Sequence, residues 1–149
     1  GRPDMATMKF TRAILAGEPI EVYGHGEMKR DFTYVGDIAD SVVALLDRAP
    51  EADPAWTPEA GDPASSSAPH RVFNIGNGEP VLLMEFLRTL ESLLGRKAML
   101  VLREMQPGDL VETSSDTEPL ARLLGAAPYT PLAVGLARFV DWYREFYRV

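Results

Sequence analysis

Four short segments of this 149-residue sequence carry side chains suited to gripping an anion or a nucleotide. Lys29-Arg30-Asp31-Phe32 follows a glycine-rich turn and leads into an expected strand. A guanidinium on a stiff strand edge can make paired hydrogen bonds to a diphosphate; the same arginine could serve as a surface residue ion-paired with Asp31 or Glu27. Gln106-Pro107-Gly108-Asp109 offers an amide and a carboxylate on a rigid turn. That carboxylate could accept bonds from a ribose diol, or the segment is a plain β-turn. Tyr23, beside Gly24, could stack on a nucleobase or pack in the core. Arg2 precedes an expected helix start, an arrangement that suits a carboxylate or phosphate, although a residue so near the chain end often has no fixed place.

Several reaction centres are missing. No tyrosine is followed four positions later by lysine: Tyr23 is followed by Glu27, Tyr34 by Ile38, Tyr129 by Ala133 and Tyr143 by Tyr147. Gly76-Asn77-Gly78 is too short for a dinucleotide fingerprint, and no Gly-x-Ser-x-Gly elbow exists. The absence of cysteine excludes disulfides and thiolate metal sites, and His25 and His70 stand too far apart in sequence to suggest zinc. The net charge of -7 argues against nucleic-acid and anionic-membrane partners. No apolar run reaches the roughly 20 residues of a membrane span and no signal peptide opens the chain, so the expected location is cytoplasmic. Gly1-Arg2-Pro3-Asp4 reads as the middle of a loop feeding a helix, without an initiator Met, which suggests a piece of a longer protein.

The segments need elements to position them. Asp4 and the apolar spacing of Ala6, Phe10, Ala13 and Ile14 predict a helix over about Met5–Ala16, stopped by Gly17. A strand is expected over Pro19–Tyr23, a turn at Gly24-His25-Gly26 and a second strand over Arg30–Val35. Asp37 is placed to cap a helix with Ile38, Val42, Leu45 and Leu46 on one face, ending at Ala49-Pro50. The Pro- and Ser-rich stretch at 50–70 reads as one long surface loop, with a turn docked by Trp56. Arg71–Ile75 reads as a strand, and a helix carries Leu83, Phe86, Leu87, Leu90, Leu93 and Leu94 as far as Gly95. Ala98–Leu102 reads as another strand. Asp116 would cap a short helix to Leu124, with Gly125 as its stop. Thr130 would cap the last helix, with Pro131 at its first position. There Leu132, Leu136, Phe139, Val140, Tyr143 and Tyr147 share a face, and the aromatic set Trp142, Tyr143, Phe146 and Tyr147 reads as core. The order lacks the regular alternation of a complete doubly wound sheet, so a helix-rich α/β fold in a single portion, residues 1–149, is expected.

Together these segments resemble the extended short-chain dehydrogenases/reductases of the NAD-dependent epimerase/dehydratase family, and within them the UDP-glucuronate 4-epimerases. Met28-Lys29-Arg30-Asp31-Phe32-Thr33-Tyr34-Val35 followed by Asp37-Ile38 resembles the Arg-Asp-Phe-x-x-Val/Ile-x-Asp motif of the extended group. Val72-Phe73-Asn74-Ile75-Gly76-Asn77 resembles its Asn-Ile/Val-Gly strand end. Gly1-Arg2-Pro3-Asp4-Met5-Ala6, Gln106-Pro107-Gly108-Asp109 with Thr113-Ser114-Ser115-Asp116, and the closing Trp142-Tyr143-x-x-Phe146-Tyr147 resemble the glucuronate branch. Gln106 departs from the galactose epimerases, which carry Arg-x-Gly-Asp at that place.

The resemblance implies the C-terminal substrate-binding part of a Rossmann-type parent, without the Gly-rich cofactor half. It implies that NAD, bound mainly by that half, takes hydride from C4 of the sugar and returns it to the other face. UDP-glucuronate and UDP-galacturonate would thus interconvert through a 4-keto sugar. The acid/base Tyr and its Lys would belong to the other half, so this chain alone would be inactive. By motif, Arg30 would bind the diphosphate, Asp109 the ribose hydroxyls with Gln106 beside it, and Tyr23 the uracil. Met5 would border the nucleotide and Arg2 would meet the sugar carboxylate. The parent would be a homodimer acting on a UDP-sugar. Two alternatives are another nucleotide-sugar epimerase, dehydratase or decarboxylase, and a non-catalytic binding module.

Overall fold

A computed structural model of the chain describes residues 5–125 and 129–149. In chain order the elements are α1 (Ala6–Ala16), β1 (Pro19–Val22), a 3-10 turn (Tyr23–Gly26), β2 (Lys29–Arg30), α2 (Val35–Leu45), β3 (Val81–Leu82), α3 (Leu83–Leu94), β4 (Met99–Leu102), α4 (Glu118–Leu124) and α5 (Leu132–Tyr147). They form two compact units. The first holds the described parts of Gly1–Phe32, Glu79–Ser114 and Thr130–Val149; the second holds those of Thr33–Gly78 and Ser115–Tyr129. The fold is the expected mixed α/β type, rich in helix.

The first unit is built on two small sheets. β1 and β4 pair in parallel, from Pro19 opposite Met99 to Val22 opposite Leu102. β2 and β3 pair antiparallel, with Lys29 opposite Leu82 and Arg30 opposite Val81. The two-residue period of β1 sends Ile20 and Val22 into the core and Glu21 outward. Leu83, Phe86, Leu87, Leu90 and Leu94 of α3 form the buried stripe that their spacing predicts. Phe86 is the centre of this core: Phe32 stacks on it with centroids 4.4 Å apart, and Phe10 meets its edge at 6.3 Å. Thr11 is fully buried, yet its hydroxyl is satisfied by donating to the Thr7 carbonyl at 2.8 Å.

α5 buries Leu136, Val140 and Tyr143, as expected, but its aromatic run is not all core. Trp142, Phe146 and Tyr147 are exposed, with Trp142 stacked on Phe146 at 5.3 Å. A helix can bury only one stripe, and positions 142 and 146 lie off the stripe defined by 136, 140 and 143.

Glu91 closes the end of α3. Its carboxylate accepts the Ala98 N–H at 2.8 Å and the Lys97 ammonium at 2.9 Å, while its carbonyl accepts the Gly95 N–H at 2.9 Å. Burial pushes the Glu91 pKa up, but the Lys97 and Ala98 bonds outweigh it and hold the carboxyl below its ordinary value of 4.5. A depressed folded pKa contributes stability above the unfolded pKa, which is lost as pH falls through the folded one. Glu91→Gln is therefore expected to cost about 1–2 kcal/mol at pH 7. The gap to the unaltered protein should narrow in urea unfolding curves taken below the ordinary carboxyl range. An equal gap at both pH values would refute the role given to its charge.

In the second unit, α2 begins at Val35 rather than after Asp37. Tyr34 is the extended N-cap residue, and Asp37 lies inside the first turn, where its charge faces the positive helix end. The expected strand over Arg30–Val35 is thereby cut to Lys29–Arg30, because the helix takes its last residue and β3 offers only two partners. α2 ends at Leu45, short of Ala49-Pro50. It has no buried residue, and Val35, Val42, Val43 and Leu46 are exposed. The expected strand over Arg71–Ile75 is reduced to an isolated bridge between Arg71 and Ser65, since among the described residues no strand pairs with it.

The 50–70 stretch is a loop of turns. The Trp56 indole donates to the Asp62 carbonyl at 2.9 Å, giving the expected docked turn. At α4 the N-cap residue is Thr117, one position after the expected Asp116. Asp116 nonetheless accepts the Glu118 N–H at 3.1 Å and so satisfies one open donor. At α5 the N-cap residue is Pro131, one position after the expected Thr130, so the helix begins at Leu132. Asp4, expected to favour the start of the first helix, lies outside the described residues. No helix among the described residues is long and apolar enough to cross a membrane, and no cluster of metal-ligating side chains occurs among them.

Candidate functional site

At the C-terminal end of the β1–β4 pair the chain makes two turns side by side. The first is the 3-10 turn Tyr23–Gly26, with Gly24 and His25 both in the left-handed region at φ 56° and 51°. It is pinned to the strand leaving β4: the Arg103 N–H donates to the Val22 carbonyl at 2.9 Å, and the His25 N–H donates to the Arg103 carbonyl at 3.2 Å. The His25 ring meets Glu104 at 3.1 Å. The second turn is Gln106–Asp109, closed by the Asp109 N–H on the Gln106 carbonyl at 3.1 Å. Gly108 has φ 90°, as the third position of a type II turn requires, with Pro107 before it.

The turns approach each other closely. A Cβ at Gly24 would lie 3.2 Å from both the Met105 methyl and Met28 Cγ. At Gly26, with φ 81°, a Cβ would lie 2.5 Å from Met84 Cγ, so a larger residue would push the turn off α3. Arg30 sits just beyond. Its guanidinium donates to the Lys29 carbonyl at 2.8 Å and to Met28 Sδ at 3.4 Å, reaching back toward the Gly24 turn. The Lys29 N–H donates to the Val111 carbonyl at 2.8 Å, and the Thr113 N–H donates to the Lys29 carbonyl at 3.3 Å. The segment that follows the Gln106–Asp109 turn thus runs beside β2.

Tyr23 and Asp109 share one electrostatic environment. The Tyr23 hydroxyl donates to Glu21 Oε2 at 3.0 Å. This bond, followed by the Glu21 charge and partial burial, raises the Tyr23 phenol pKa; Arg103 opposes the rise and Asp109 adds to it. Glu21 is pulled below its ordinary value, first by the Arg103 hydrogen bond and then by the Tyr23 bond, with Lys9 the last contributor.

Four expected site residues therefore belong to one patch of the first unit: Tyr23, Arg30, Gln106 and Asp109. Met5 is half-exposed at the start of α1, where its carbonyl accepts the Lys9 N–H at 3.0 Å; Lys9 in turn lies within electrostatic reach of Glu21. Arg2 lies outside the described residues. The residues not expected are Glu21, Met28 and Arg103. Glu21 was within reach of the sequence, since strand alternation puts residues 21 and 23 on one face. Arg103 was not, because only the β1–β4 register places it beside Tyr23. The second unit has its own cleft of about 890 Å³ between the end of α2, the 50–70 loop and α4, with Arg48, His70, Arg71 and Arg122 among its lining. None of the expected site residues lines it.

The model of the NAD dependent epimerase/dehydratase family matches residues 1–76. An uncharacterized 37.6 kDa protein of Escherichia coli O111:H- is 52% identical over 149 residues, 100% of this chain and 45% of that protein. A probable UDP-glucuronate 4-epimerase of Rhizobium meliloti is 45% identical over 149 residues, covering 99% of this chain and 44% of the relative. The crystal structure of the Bacillus cereus UDP-glucuronic acid 4-epimerase with UDP-glucuronic acid and NAD superposes with a TM-score of 0.76 at 27% identity, over 98% of this chain and 41% of that one. The chain thus spans less than half the length of the relatives it matches.

The family uses NAD, but the described residues do not fit as its cradle. Gly76–Gly78 runs on to β3 rather than joining a strand to a helix N-terminus, and β3 passes into α3 with no glycine between them. With the family model covering residues 1–76 and relatives aligned along the whole chain, this protein belongs to the NAD dependent epimerase/dehydratase family.

Proposed function

We propose that residues 1–149 form the nucleotide-sugar-binding portion of a longer NAD-dependent epimerase that interconverts UDP-glucuronate and UDP-galacturonate. The observation that carries this reading is the convergence of Tyr23, Arg30 and the Gln106–Asp109 turn at one end of the β1–β4 pair. An aromatic ring and a guanidinium, both partly buried, beside an exposed carboxylate are the three groups that a base, a diphosphate and a ribose diol require. In this reading Tyr23 lies against the uracil, Arg30 on the diphosphate, and Asp109 on the ribose with Gln106 beside it. Met5 borders the nucleotide and Arg2 takes the sugar carboxylate. The exposed apolar residues of α2 support a role inside a larger protein, since an uncovered apolar helix face is otherwise a liability. The catalytic acid/base pair is assigned to residues outside this chain, which by itself should show no turnover.

Calorimetric titration of the chain with UDP, UDP-glucuronate and UDP-glucose is the direct test. Binding of all three is expected, and no binding of any would refute the recognition role. In the full-length protein, Arg2→Ala is expected to depress turnover of UDP-glucuronate while sparing the affinity for neutral UDP-glucose. Equal losses on both would remove Arg2 from carboxylate recognition.

A further inference from the structure

We propose that Glu21 and Arg103 form a clamp that sets the orientation of the Tyr23 ring, and thereby act as positioning residues for nucleobase recognition. The inference rests on the reading that Tyr23 lies against the base. Three bonds define the clamp. Arg103 Nε and Nη2 both donate to Glu21 Oε1, at 3.1 and 2.9 Å, and the Tyr23 hydroxyl donates to Glu21 Oε2 at 3.0 Å. Glu21 thus spends one oxygen on each partner, bridging two parallel strands and the first residue of the turn.

The backbone makes this possible. Glu21 points outward from β1, Tyr23 follows two positions on at the start of the turn, partly buried against the core, and the parallel register brings Arg103 alongside. The pair is poorly suited to a role in stability, because both side chains are about half exposed, at 50% and 53%. Exposed pairs contribute little to folding. What a bidentate guanidinium supplies is geometry: it fixes the plane of the carboxylate, and the carboxylate then fixes where the phenol oxygen points. A ring so held has fewer rotamers to lose when a base stacks on it.

The test uses calorimetry of the chain with UDP and, separately, with inorganic pyrophosphate, which has no base. Glu21→Ala, Arg103→Ala and Tyr23→Phe are each expected to weaken UDP about fivefold and to leave pyrophosphate unchanged. Tyr23→Phe keeps the ring and removes only the bond to Glu21, so it maintains the test if either clamp variant folds poorly. Ultraviolet titration of the phenol supplies a second readout: Tyr23 should ionise at lower pH in Glu21→Ala than in the unaltered chain. Unchanged UDP affinity in all three variants, with Tyr23→Ala still weakening UDP, would overturn the clamp and leave the nucleotide site standing. Unchanged affinity in Tyr23→Ala as well would remove Tyr23 from the site and the clamp with it.

Discussion

Phe86→Ala is expected to remove about 3–5 kcal/mol from the stability of the first unit, a large share of a total in the usual range of about 5–15 kcal/mol. Phe86 is 1% exposed and central to the ring cluster, stacked with Phe32 and edge-on to Phe10. Truncation forfeits both ring contacts and leaves a cavity between α1, α3 and the start of the Phe32 segment. Phe32 follows Arg30 by two positions, so the cavity also releases the anchor that holds β2 against β3. Urea unfolding followed by circular dichroism would measure the loss, and Phe86→Leu should recover more than half of it by refilling most of the volume. A loss below about 1 kcal/mol in Phe86→Ala would contradict the place given to this ring.

The second large effect is on binding. Arg30→Ala is expected to weaken UDP by between about tenfold and about a hundredfold, the range of a charge-assisted hydrogen bond of about 1.5–3 kcal/mol. The loss should extend equally to pyrophosphate, which separates it from the clamp variants. Arg30→Lys should fall between the two, because it keeps the charge but not the paired geometry. Folding should be little affected, since among the described residues the guanidinium bonds to its own neighbourhood at Lys29 and Met28. Unchanged UDP affinity in a folded Arg30→Ala protein would remove the diphosphate contact, and with it the main electrostatic attraction of the site.

Helix α3 and the individual strands β1 and β4 were legible in the sequence because their patterns are local. Five leucine and phenylalanine positions at helical spacing need only one apolar neighbour to become a buried face, and Ile20 and Val22 alternate cleanly. The failures fall where an element depends on a distant partner. Arg71–Ile75 has strand composition, but a strand exists only when another pairs with it, and among the described residues one bridge to Ser65 is what forms. The Arg30–Val35 strand stops early for the same reason, its partner β3 being two residues long. α2 has its apolar residues at helical spacing and forms a helix, yet none of them is buried among the described residues.

The candidate site divides in the same way. The residue types made Tyr23, Arg30, Gln106 and Asp109 candidates beside plainer readings as core, turn and ion pair, and it was the family resemblance that assigned them their roles. The turn chemistry of Gly24 and of Pro107-Gly108 was equally readable, since a left-handed backbone favours glycine. What only the tertiary structure decided is that these residues share one place, and that Glu21 and Arg103 join them. Residues 82 positions apart meet because β1 and β4 run parallel in one particular register. That register is set by side chains from α1, α3 and α5 filling a single core, a sum over many weak contacts that no short motif contains.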